Sequence, residues 1–101
     1  MSKLFFDRAG NALGREMWLA LFEDDDYRVI AVTQVTPAVR VSTVWTGIDH
    51  SHPTDDQYLI FETVIFREGR SEDRFLWATE EEAHENHHTL VEEERERAGL
   101  S

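Results

Sequence analysis

The order of apolar and polar positions divides this chain into strand-like and helix-like runs. The strongest strand signals are Val39–Ile48 and Tyr58–Phe66, joined by the polar stretch Asp49-His50-Ser51-His52-Pro53-Thr54-Asp55-Asp56-Gln57. Both runs are rich in β-branched and aromatic residues, which suit a pleated, half-buried surface. Upstream, Lys3–Asp7 reads as a short strand and Asp7–Asn11 as a turn. Leu13, Met17 and Leu21 recur at helical spacing, which predicts an amphipathic helix over Leu13–Phe22. Glu23-Asp24-Asp25-Asp26 reads as an acidic loop. Tyr27–Val35 then reads as a strand with both faces largely covered, and Thr36-Pro37-Ala38 is short enough only for an antiparallel connection.

After Phe66, Arg67–Asp73 reads as a hairpin connection into a last short strand, Arg74–Trp77. Thr79-Glu80-Glu81-Glu82 has the form of a capping box, opening a helix that runs to about Ala98 with Gly99 as its stop. Strand, helix, four strands and helix predict an α+β fold. We expect one domain over residues 1–101, an antiparallel sheet of about five strands carrying a short N-terminal and a longer C-terminal helix.

Composition narrows the function. The chain has 101 residues, 41% of them apolar, and a formal net charge of −11. So strong a negative charge argues against direct binding of nucleic acid or an anionic membrane. The absence of cysteine excludes disulfides and thiolate chemistry, and fits a cytoplasmic setting. Only Leu4-Phe5-Phe6 separates Lys3 from Asp7, too short for the apolar core of a secretion signal.

Candidate chemistry centres on a few histidines and acids. His84-Glu85-Asn86-His87-His88 matches the zinc-peptidase pattern H-E-x-x-H, but too little chain follows for the usual downstream ligand. Helical spacing instead places Ala83, Asn86, His87, Leu90 and Glu94 on one stripe, with Val91 at its border, turning His87 toward the sheet. Glu62 interrupts a hydrophobic strand and needs solvent or a partner, with Arg28, Arg40, His50 and His87 as candidates. Asp49 and His50 close the preceding strand. Together Asp49, His50, Glu62 and His87 are a candidate ligand-binding set, with the residue types for a divalent metal or an oriented acid/base histidine. Their spacing matches no known metal signature, and the sequence identifies no cofactor.

Several fragments resemble a family of small uncharacterised proteins that recurs in actinobacterial phages and prophages. They are Phe6-Asp7-Arg8 with Gly10-Asn11; Leu21-Phe22-Glu23-Asp24 with Tyr27-Arg28-Val29; Val41-Ser42-Thr43-Val44-Trp45 with Gly47, Asp49 and His50; Leu59-Ile60-Phe61-Glu62-Thr63; and Thr79 with Glu82, Ala83 and His87. The resemblance implies a phage-related origin, inside the host cell. Asp49, His50, Glu62 and His87 match its pattern. The chain departs from it in the loop before Leu59 and in the weak cap at Ala12-Leu13-Gly14.

These readings lead to a non-enzymatic, acidic accessory protein that binds a host or phage protein. Trp18, Trp45 and Trp77 are candidates for a contact patch or a homodimer face. One alternative is a small-ligand or metal-binding protein or hydrolase built on the four-residue set. Another is a DNA mimic, with carboxylates of Glu23–Asp26, Asp55–Asp56 and the last helix in two rows.

Overall fold

The computed structural model describes residues 4–52 and 56–100. Lys3, in the first expected strand, and Pro53-Thr54-Asp55, in the expected polar loop, lie outside the described residues. The elements are β1 (Phe5–Phe6), β2 (Ala12–Leu13), α1 (Arg15–Phe22), α2 (Asp25–Arg28), β3 (Val29–Thr36), β4 (Val39–Trp45), β5 (Phe61–Arg67), β6 (Arg70–Trp77) and α3 (Glu80–Arg97). The fold is α+β, as the sequence implies. Its main sheet has four antiparallel strands in the order β3-β4-β5-β6, and β1 and β2 form a separate two-stranded ribbon.

Side-chain alternation assigns the two faces of the main sheet. Val41, Thr43 and Trp45 on β4 and Phe61, Thr63 and Ile65 on β5 point to one face and are buried. Helix α3 lies over that face and contacts all four strands. Its start follows from the Thr79 hydroxyl, which accepts from the Glu82 amide at 3.1 Å. Its inward residues are Ala83, His87, Leu90, Val91 and Glu94. At the far end Glu94 is 4% exposed and receives both arms of the Arg67 fork, at 2.9 Å and 3.0 Å. That bidentate pair is what makes a carboxylate tolerable against the sheet.

The N-terminal segments close one end of this layer. Phe6 packs with Trp45, Ile60, Phe61 and Ala83, and Trp18, Phe22 and Tyr27 pack onto that group. Every tryptophan has a hydrogen-bond acceptor: Trp18 donates to the Thr46 carbonyl at 2.9 Å, Trp45 to the Phe6 carbonyl at 3.0 Å and Trp77 to the Thr63 hydroxyl at 2.9 Å. Trp45 is therefore fully committed to the core, while Trp18 and Trp77 are half-buried with their indole N–H groups satisfied inside the fold. Arg8 ties the N-terminal unit to α3 through two bonds to Glu80, at 2.7 Å and 2.6 Å.

Several boundaries differ from the sequence expectation for identifiable reasons. Strand β4 ends at Trp45 because Gly47 turns the chain with φ +71°. Strand β6 begins at Arg70, earlier than expected, because the β5–β6 hairpin turns on Glu68 and Gly69 alone, at φ 53° and 78°. The acidic stretch is partly helical: Asp24 caps α2, its carboxylate accepting from the Asp26 amide at 3.0 Å. Strand β3 is not covered on both faces, since Val32 is 52% exposed.

Candidate functional site

The four candidate ligand residues fall in different surroundings. His87 is buried beneath α3, where Nδ1 lies 2.7 Å from the Thr43 hydroxyl and Nε2 lies 2.9 Å from the Thr33 hydroxyl. Thr43 also bonds Thr63 at 2.6 Å, and Thr63 accepts from the Trp77 indole. The indole can only donate, so Thr63 accepts from it, and the directions of the bonds beyond Thr63 follow the tautomer of His87. His87 thus closes a chain of hydroxyls across β3, β4 and β5.

This chain pins the helix to the sheet, and its burial disfavours the charged form of the ring. Burial, reinforced by repulsion from His84 and His88, pushes the His87 pKa below its ordinary 6.5. The groups facing it from the strands are neutral hydroxyls, so no carboxylate offsets the penalty. Because the folded protein binds this proton more weakly than the unfolded chain, the stability tied to His87 is complete above 6.5 and declines as pH falls below it. The urea midpoint should therefore drop between about pH 7.5 and about pH 5.5. In His87→Gln that drop should shrink, although the variant starts less stable.

Glu62 points to the opposite face, beside Val44 and Leu76. Its partner is Arg74, at 2.6 Å, rather than Arg28, Arg40, His50 or His87. Asp49 organises its own loop: Oδ1 accepts from the amides of Ser51 and Leu59 at 2.8 Å and 3.0 Å, and Oδ2 accepts from the Ser51 hydroxyl at 2.8 Å. Burial alone would raise the Asp49 carboxyl, but these hydrogen bonds outweigh it and hold it below the ordinary carboxylate range. His50 is exposed at the start of the loop. The structure does not bring the four together, because Glu62 and His87 lie on opposite sides of the sheet. Among the described residues no group of three or more His, Asp or Glu side chains is arranged to hold a metal ion. In the H-E-x-x-H segment, His84 lies 3.5 Å from Glu80 and His88 is exposed, while His87 faces inward.

What the fold does present is one uncovered side of its sheet. Val32, Val44, Val64, Phe66 and Leu76 point away from α3 and belong to neither buried cluster. The register sets Ser42 opposite Val64 and Val64 opposite Arg74 in one row, and Arg40 opposite Phe66 in the next. The Arg40 guanidinium lies over the Phe66 ring at 4.5 Å. Beside them Gln34, Pro37, Ala38 and Gly69 complete a shallow recess of about 290 Å³ at the hairpin end. This face carries Arg40, Arg74 and Glu62, so it is not acidic, although the whole chain is at −11. Much of the negative charge lies on the far side, where Glu81, Glu85, Glu92, Glu93 and Glu96 of α3 are exposed.

The strand-rich runs signalled half-buried strands, but the residues that organise each face were missed. Thr43 and Thr63 are direct register partners and Thr33 lies one diagonal away on the same face of β3, and these inward threonines were the available signal for the His87 chain. The Glu94–Arg67 pair had only the inward stripe of α3 as a hint. The chain matches no known family model, no curated protein and no solved structure. No helix among the described residues is long and apolar enough to cross a membrane.

Proposed function

We propose that this is a non-enzymatic, acidic accessory protein that binds a protein partner through the uncovered side of its four-stranded sheet. The observation that carries the reading is the set of apolar side chains Val32, Val44, Val64, Phe66 and Leu76, turned away from α3 and outside both buried clusters. Apolar side chains gathered on one exposed face are a common mark of a protein contact. Arg40, Glu62 and Arg74 are interspersed among these residues, and charges at a contact favour selectivity over raw affinity. The resemblance to proteins of actinobacterial phages and prophages adds a setting: the partner is a host or phage protein, met inside the host cell.

The reading is tested by capture from actinobacterial lysate with three baits. Val64→Asp places a charge within that face without touching the core, and Glu85→Gln with Glu92→Gln removes charge from the outer side of α3. A partner held by the native bait and by the helix variant, but lost from Val64→Asp, supports the proposal. A partner lost only from the helix variant would move recognition to the acidic helix, as charge mimicry requires. Equal capture by all three would remove the sheet from the account.

A further inference from the structure

The two edges of the main sheet are unlike. Strand β6 reads Arg-Ser-Glu-Asp-Arg-Phe-Leu-Trp, with charged side chains at Arg70, Glu72, Asp73 and Arg74. Such charges are how proteins prevent unwanted pairing at a sheet edge. Strand β3 reads Val-Ile-Ala-Val-Thr-Gln-Val-Thr and has neither a charged residue nor a proline over its eight positions. Among the described residues it pairs with β4 on one side only. Val32, in its middle, is an exposed apolar side chain at 52%. One edge is blunted and the other is left ready to pair.

We infer that β3 is a strand-addition site for an extended segment of a partner protein, which runs antiparallel to β3 and carries lysine or arginine just beyond its own C-terminal end. This rests on the reading that a partner docks on the uncovered side of the sheet. Every pairing within the main sheet is antiparallel, and antiparallel ladders are slightly the more stable. Main-chain bonds along the edge supply affinity and alternate side chains supply selectivity. An antiparallel addition brings the C-terminal end of the new strand beside the start of β3. There Glu23, Asp24, Asp25 and Asp26 are all exposed. Asp25 is engaged by Arg28 and Asp24 caps α2. Glu23 and Asp26 join no ion pair among the described residues, which leaves them to meet a cation. A second copy of this chain is the poorer occupant, because it brings a formal charge of −11 to an edge flanked by its own acids.

The test uses the intact protein and three synthetic peptides, each alternating threonine and valine over the length of β3. One is followed by Lys-Arg-Lys, one is preceded by Lys-Arg-Lys and one is followed by Glu-Asp-Glu. Fluorescence anisotropy should show the first binding about fivefold tighter than the second, with the third weakest. That preference should vanish in Glu23→Gln with Asp26→Asn, which leaves the edge intact. Val32→Lys should weaken the first peptide by about tenfold, and amide shifts in the native protein should change along Val29–Thr36. Equal binding of all three peptides, or shifts confined to other strands, overturns the inference. So does a concentration-dependent dimer of the free protein joined through β3. If no peptide binds while Val64→Asp still abolishes partner capture, strand addition fails and sheet-side docking stands. If Val64→Asp also captures normally, the parent reading fails with it.

Discussion

Replacing Arg67 with alanine should destabilise the protein by about 3–5 kcal/mol, because it strands a buried carboxylate. Glu94 is 4% exposed, and Arg67 supplies both of its strand-side hydrogen bonds. The remaining neighbour, Arg97, is 70% exposed and lies 3.4 Å away, too solvent-screened to replace the fork. For a domain of this size the loss corresponds to a fall in Tm of about 15–30 °C. The distinguishing control is the double variant Arg67→Met with Glu94→Leu. It removes both charges and fills the space with apolar atoms, and should recover most of the loss. Thermal unfolding followed by circular dichroism checks both. A single variant as stable as the native protein would mean that α3 is not clamped at this point.

Gly47→Ala should cost about 3 kcal/mol and loosen the N-terminal unit from the end of the sheet. Two independent penalties meet there. The backbone holds φ +71°, and an added Cβ would sit 2.6 Å from Cδ1 and Nε1 of Trp18 and closer still to the Trp45 ring. Neither indole can retreat freely, since each donates a hydrogen bond, to Thr46 and Phe6 respectively. The Gly47 carbonyl also accepts from the Phe6 amide at 2.9 Å, so displacement here pulls on β1. Tryptophan emission should shift to the red as Trp18 gains solvent. Gly69→Ala separates the two penalties: its φ is +78° but nothing lies within 4 Å of the new Cβ. That variant should pay the backbone strain alone, about 1 kcal/mol.

The sequence carried the fold class because local preference and burial agree in most elements. Val41, Thr43 and Trp45 alternate cleanly with Arg40, Ser42 and Val44, and Thr79 with Glu82 announces α3 without ambiguity. Where the two disagree, the reading slipped. Charges at Arg70, Glu72 and Asp73 masked the first half of β6, although a two-residue turn at Glu68-Gly69 pairs those residues with β5. Separate hydrogen bonds to Ile60 and Leu59 hold Thr46–His50 beside the chain before β5, so the strands look longer in sequence than they are.

The candidate site failed for a different reason. Alternation says which residues share a face, but not which face a distant helix will cover. Glu62 shares parity with Val64 and Phe66, and those positions turned out to be the uncovered set. Ile60 has the same parity yet is 2% exposed, because the chain leaves regular pairing before Phe61. His87 was legible as an inward residue. Its partners were not, since threonine hydroxyls on three strands converge only after the register is known. The same gap hid the functional contrast between the edges, which depends on knowing that β3 and β6 are outermost.

The account stands on β3 being an open edge. Residue-resolved amide hydrogen exchange of the free protein measures this directly. Alternating amides over Val29–Thr36 should exchange about as fast as those of an exposed loop, while their neighbours, bonded to β4, stay protected with the core. Slow exchange at every position of β3 would mean that the edge is already occupied, and would contradict the strand-addition site.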